Sequence, residues 1–137
     1  MIKLAYIEYP YKMSLSAMKQ FKDNTGCDMW HVLWGFINAY RDSEGLDQFK
    51  RLEVMTGVCD FFTASELFHA LFSAKNSCLS LEEIQDGMHR VSGRPNADDD
   101  ELSHPWPLVM VVLAYEIDAY YAKNIDTVKK KADSSEA

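Results

Sequence analysis

The 137-residue chain has no long apolar run. The longest stretch, Trp106 to Tyr115 behind Pro105, contains Pro107 and is about half the roughly 20 residues that a membrane span needs. It reads as a buried helix. Basic charge is also short: 14 Lys and Arg face 21 Asp and Glu, a net charge of −7. The single basic run, Lys129-Lys130-Lys131, sits in a polar C-terminal stretch. Binding to nucleic acid needs a basic patch for the phosphates, so nucleic acid is not an expected partner, and neither is a membrane. The three cysteines, Cys27, Cys59 and Cys78, are odd in number and far apart. That pattern fits small thiols in a reducing compartment better than a disulfide framework. The opening MIKLAYIEYPYK carries Glu8 and lacks the apolar region of about 7–15 residues that marks a secretory signal, so a cytoplasmic location is expected. GxxxxGK[ST], GxGxxG and GxSxG are all absent, which leaves phosphate cradles and nucleophile elbows without support.

Hydrophobic residues at 47% and charged residues at 26% are in the range of an ordinary globular domain. At this length one domain is expected, and a chain of roughly 150 residues buries about 68–70% of its unfolded surface without a metal or disulfide staple. The first nine residues alternate, with Ile2, Leu4 and Tyr6 on one face. Period-two spacing predicts one short strand ended by Pro10. Its edges need a partner from Tyr11–Met13, from elsewhere in the chain, or from another subunit.

From Ser14 onward the signals are helical. Ser14 is placed to cap a helix carrying Leu15, Met18 and Phe21, and Gly26 to stop it. Asp28 is placed to cap the next, with Trp30, Leu33, Trp34, Ile37 and Tyr40 at helical spacing before Gly45. Leu46, Phe49, Leu52 and Met55 mark a third helix ahead of Gly57. Thr63-Ala64-Ser65-Glu66 and Ser80-Leu81-Glu82-Glu83 both match the capping box, in which hydroxyl and carboxylate satisfy each other's free N–H groups. The segment Ser92–Pro105 has loop composition. A last helix is expected from about Pro107 to Ile125. The fold class is therefore mainly α, five to six helices with a short N-terminal strand or hairpin, in one domain over 1–126. A flexible polar tail is expected over 127–137.

Candidate chemistry is sparse. Cys27 and His31 lie four apart and could share a helix face, but zinc wants three or four ligands and no CxxC or HxxxH accompanies them. His69, His89 and His104 share no motif. An EF-hand loop laid from Asn96 puts Glu101 where Gly is needed and Pro107 where Glu is needed, so Asn96–Glu101 reads as a solvated acidic loop. No metal, cofactor or catalytic group is expected. Aromatic residues reach 12%, and there are seven Met. Such bulk is mostly core, yet aromatic and Met-rich surface also suits adaptable partner binding. The expected binding surface comprises Phe61, Phe62, Phe68, Phe72, Tyr120 and Tyr121.

A short N-terminal strand leads into Ser14-Leu15-Ser16-Ala17-Met18-Lys19-Gln20-Phe21 and then Thr25-Gly26. Later come Thr63-Ala64-Ser65-Glu66-Leu67-Phe68-His69-Ala70-Leu71-Phe72 and Leu79-Ser80-Leu81-Glu82-Glu83-Ile84-Gln85-Asp86. In this order the chain resembles the tail assembly chaperones of long-tailed bacteriophages, over most of its length in outline. It departs from the simpler members at the acidic insertion Asn96–Glu101 and at the Trp30/Trp34 pair. The resemblance implies a non-enzymatic protein, absent from the finished virion, that coats the tape-measure protein before the tail tube forms and self-associates. It also implies a longer form, made by ribosomal frameshifting, whose extra domain recruits tube subunits. Lys129–Lys131 would be encoded by an A-rich run of the kind on which a ribosome slips. The rival expectation is a small helical adaptor or regulator that binds one protein partner.

Overall fold

A computed structural model describes residues 1–5, 7–90 and 105–135, with side chains of the last helix as far as 122. The acidic segment Asn96–Glu101 and His104 lie outside the described residues.

The N-terminal residues supply their own strand partner. Strand β1 (Ile2–Leu4) pairs antiparallel with β2 (Ile7–Tyr9), setting Ile2 opposite Tyr9, Lys3 opposite Glu8 and Leu4 opposite Ile7. The alternation expected to be one strand is thus a hairpin. Ala5 makes the reversal at φ +49°, in the left-handed region that tight hairpin turns require and that costs a non-glycine residue about 1–3 kcal/mol. Burial offsets that strain: Ile2, Leu4, Ala5 and Tyr9 are all in the core, while Lys3 and Glu8 stand opposite each other on the outer face.

Six helices follow among the described residues. Helix α1 (Leu15–Thr25) starts on Ser14, whose Oγ accepts the Ala17 N–H at 3.1 Å. It ends at Gly26, whose φ of +76° places the cap N–H 2.8 Å from the Lys22 carbonyl. Both are as the sequence indicates. Helix α2 (Met29–Asp42) has Asp28 at its N-cap, without a side-chain cap hydrogen bond. Helix α3 (Gln48–Thr56) is capped by Asp47, which accepts the Lys50 N–H at 2.9 Å.

Helix α4 (Phe61–Ser73) begins earlier than the expected capping box. Asp60 Oδ1 accepts the Thr63 N–H at 2.7 Å, so Thr63 is already inside the first turn. An aspartate is at least as good a cap as a threonine, and this one comes first in the chain. Ser65, expected within the box, is buried and donates to the Phe62 carbonyl at 2.6 Å. Helix α5 (Leu81–Arg90) does start on Ser80, whose Oγ accepts the Glu83 N–H at 3.1 Å. Helix α6 (Trp106–Ser135) runs past the expected end at Ile125, into the stretch expected to be a flexible polar tail. No Gly or Pro follows Pro107, and Lys129–Lys131 and Ala132 are good helix formers. Nothing local stops the helix.

The centre of the core is α4, packed against α1 on one side and α5 on the other, while α2 lies along α6 and β1 also rests on α6. Leu67, Phe68, Leu71 and Phe72 have no exposed surface, and the Tyr9 ring of the hairpin stacks on Phe72 at 4.7 Å. His69 ties three pieces together. Its Nε2–H donates to the Leu79 carbonyl at 2.9 Å, which leaves Nδ1 to accept from the Gln20 side-chain amide at 3.3 Å. That places His69 in a structural role. Helix α3 is held differently: it rests against α2 and α6 and buries only Met55. Leu46, just ahead of the helix, and Phe49 on it, both expected in its apolar row, are 44% and 71% exposed, because the helix turns its Met55 side toward its neighbours.

Candidate functional site

The six aromatic residues expected to form one binding surface divide into three groups. Phe68 and Phe72 are fully buried and present no surface. Being on the central helix, they are covered by its neighbours, and the two rings stack on each other at 5.5 Å. Phe61 is half-buried against Trp106 at 6.2 Å, and its neighbour Phe62 is 66% exposed. Tyr121 is half-buried and Tyr120 is 62% exposed.

Tyr120 and Tyr121 belong to a larger constellation. Trp34, 52% exposed, leans on Trp30 at 5.5 Å. Trp30 meets the edge of Tyr121 at 5.2 Å and 85°. Tyr121 in turn meets Tyr120 at 5.6 Å and 81°. Four rings in series therefore join α2 to α6, and the two end rings, Trp34 and Tyr120, are open to solvent. Trp30 and Trp34 were outside the expected surface, although their separation of four residues places both on one helix face.

Two phenol hydrogen bonds tie the segment before α1 to α6, one of them from the ladder itself. Tyr121 Oη donates to the Met13 carbonyl at 3.3 Å, and Tyr11 Oη donates to Glu116 Oε2 at 2.8 Å. The strap Tyr11–Met13 is thereby fastened to α6 from both sides. Burial, and the carboxylate of Glu116 that accepts its proton, hold the Tyr11 phenol well above its ordinary range. It stays a donor at any physiological pH. Rings held this way give up little freedom when a partner covers them, which favours binding.

A second aromatic group fastens α3. The Tyr40 and Tyr115 rings meet edge to face at 6.4 Å. The Arg51 guanidinium lies 4.0 Å from the Tyr40 ring centre and donates to the Tyr40 carbonyl at 2.9 Å and to Ser43 Oγ at 3.3 Å. Arg41 donates to Tyr115 Oη at 3.3 Å. Gly35 lets the chain after α3 come close: a Cβ there would stand 2.8 Å from Val58 Cγ1.

Among the described residues, no group of three or more His, Cys, Asp or Glu is arranged to hold a metal ion. Cys27 precedes α2, with its Sγ directed to the Thr25 carbonyl at 3.8 Å, and His31 is exposed on the helix. The two therefore do not share a helix face. Cys59 is partly buried. That burial, with Asp60 and Cys27 nearby, pushes its thiol up to about 12, which keeps it protonated and a poor nucleophile. Among the described residues, no helix is long and apolar enough to cross a membrane. No protein-family model matches this chain, and neither a curated protein nor a solved structure matches it.

Proposed function

We propose that this protein is a non-enzymatic tail assembly chaperone, which binds an amphipathic helix of the phage tape-measure protein before the tail tube polymerises. One observation supports this reading above the others: the ring ladder from Trp34 to Tyr120 ends in solvent at both sides. Aromatic side chains of this kind dominate the energetics of protein interfaces. A row of rings accepts apolar side chains at several registers, which suits a client that must be coated along its length and then released. The sequence resemblance to tail assembly chaperones supplies the identity of the client. In this reading the protein also self-associates, acts in the host cytoplasm and leaves before the virion is complete. A frameshifted longer form carries the contact to the tail tube protein.

The test pairs the protein with the long helix-rich product of a neighbouring gene. Titration followed by tryptophan fluorescence is expected to report binding, since Trp30 and Trp34 sit in the contact. Trp34→Ala should weaken it by about 30-fold, as loss of an interface anchor of about 2 kcal/mol does. Unchanged affinity in Trp34→Ala and Tyr120→Ala would overturn the ladder as the client surface. A gene with neither an overlapping downstream frame nor a following tape-measure frame would overturn the chaperone reading. The adaptor reading would then take its place, with the same ladder serving one partner.

A further inference from the structure

The outward face of α3 has a symmetry of its own. Phe49, Lys50, Glu53 and Val54 are all exposed there, while Met55 is the buried residue on the opposite side. At 3.6 residues per turn, Lys50 and Glu53 lie about 60° apart and form the centre of this face, with Phe49 on one flank and Val54 on the other. Neither the Lys50 ammonium nor the Glu53 carboxylate has a partner among the described residues.

We infer that α3 pairs with α3 of a second copy of this chain, antiparallel, about a two-fold axis passing between residues 51 and 52. The charges fit this occupant. In that arrangement Lys50 of each copy faces Glu53 of the other, so one surface supplies two ion pairs, as an isologous contact requires. The axis also brings the two Phe49 rings together along one flank and the two Val54 side chains along the other. A 71% exposed phenylalanine is thereby covered. A partner of uniform charge would satisfy only half of the charged groups. A single nine-residue helix per copy makes a small interface, so the dimer is weak and forms reversibly. The inference rests on the self-association included in the proposed function and uses none of the ring-ladder residues.

Sedimentation equilibrium over a concentration series tests it. Phe49→Ala is expected to raise the dimer dissociation constant about 30-fold. Lys50→Glu and Glu53→Lys are each expected to raise it roughly tenfold by setting like charges opposite one another at both ends. Two recoveries are specific to this register: the double variant Lys50→Glu/Glu53→Lys should dimerise like the parent chain, and an equimolar mixture of the two single variants should form heterodimers. A dimer indifferent to all these changes overturns the α3 surface and leaves self-association standing. A chain that stays monomeric throughout overturns both. Client binding, measured on the same variants through Trp34, should be unchanged, which separates this result from the fate of the chaperone reading.

Discussion

Helices α3 and α4 are neighbours in sequence, and both start on an aspartate cap. Helix α4 buries seven residues, from Ala64 to Phe72, whereas α3 buries only Met55. The difference is one of surroundings. Helix α4 has α1 and α5 against it and the Tyr9 ring on Phe72, so its apolar positions find cover in several directions. Helix α3 touches α2 and α6 along one side, and its grip relies on Arg51 over Tyr40 and on the approach of Val58 to Gly35. A helix covered on several sides stabilises the domain. A helix covered on one side leaves apolar surface for another molecule.

The comparison can be broken first at α4. Phe68→Ala removes a fully buried ring and should cost about 3–5 kcal/mol, read from denaturant unfolding. A loss below about 1 kcal/mol would mean that α4 is not the centre of the core.

The α2–α3 joint comes next. Gly35→Ala forces its Cβ against Val58 Cγ1 and should cost about 1–3 kcal/mol. Adding Val58→Ala should recover part of that loss if the clash is the cause. Arg51→Ala deletes the ring contact and two hydrogen bonds and should cost about 1–2 kcal/mol. Amide exchange is expected to speed up in α3 and hardly at all in α4, because the lost contacts fasten only the former.

A smaller effect tests the α4 cap by pH. Hydrogen bonds from Thr63 hold the Asp60 carboxyl below its ordinary value of 3.8. A carboxyl lowered on folding contributes stability that is present above about 3.8 and lost as pH falls through the folded value. Asp60→Asn keeps a good cap without the charge. Its melting temperature should therefore sit slightly below that of the parent chain at neutral pH, and the gap should close on acidification. A gap that stays constant to low pH would remove the charge from the account.

The smallest effect is expected at Phe49. Its ring is 71% exposed, so Phe49→Ala should change monomer stability by no more than about 0.5 kcal/mol. A large loss would show that α3 is packed more like α4 than its exposure implies.

Local chemistry was the legible part. Ser14, Gly26 and Ser80 do what their positions indicate, since a cap depends on atoms within about four residues. The hairpin was half legible: alternation passed unbroken through Ala5, which carries no turn signal of the Gly or Asn kind. The binding surface was least legible. Phe68 and Phe72 were expected on it and lie in the core, while Trp30 and Trp34 were passed over and form half of the ladder. Composition counts rings without showing which of them another element will cover.

By itself, the sequence determined that this chain is helical and where several of its helices begin, because these properties follow from short-range hydrogen bonding and a 3.6-residue period. Tertiary structure alone decided that α4 is enclosed and α3 is not, and that Tyr121 reaches across to Trp30. Exposure depends on residues distant in the chain, such as Met13 and Tyr121 or Gly35 and Val58, whose meeting no local pattern encodes.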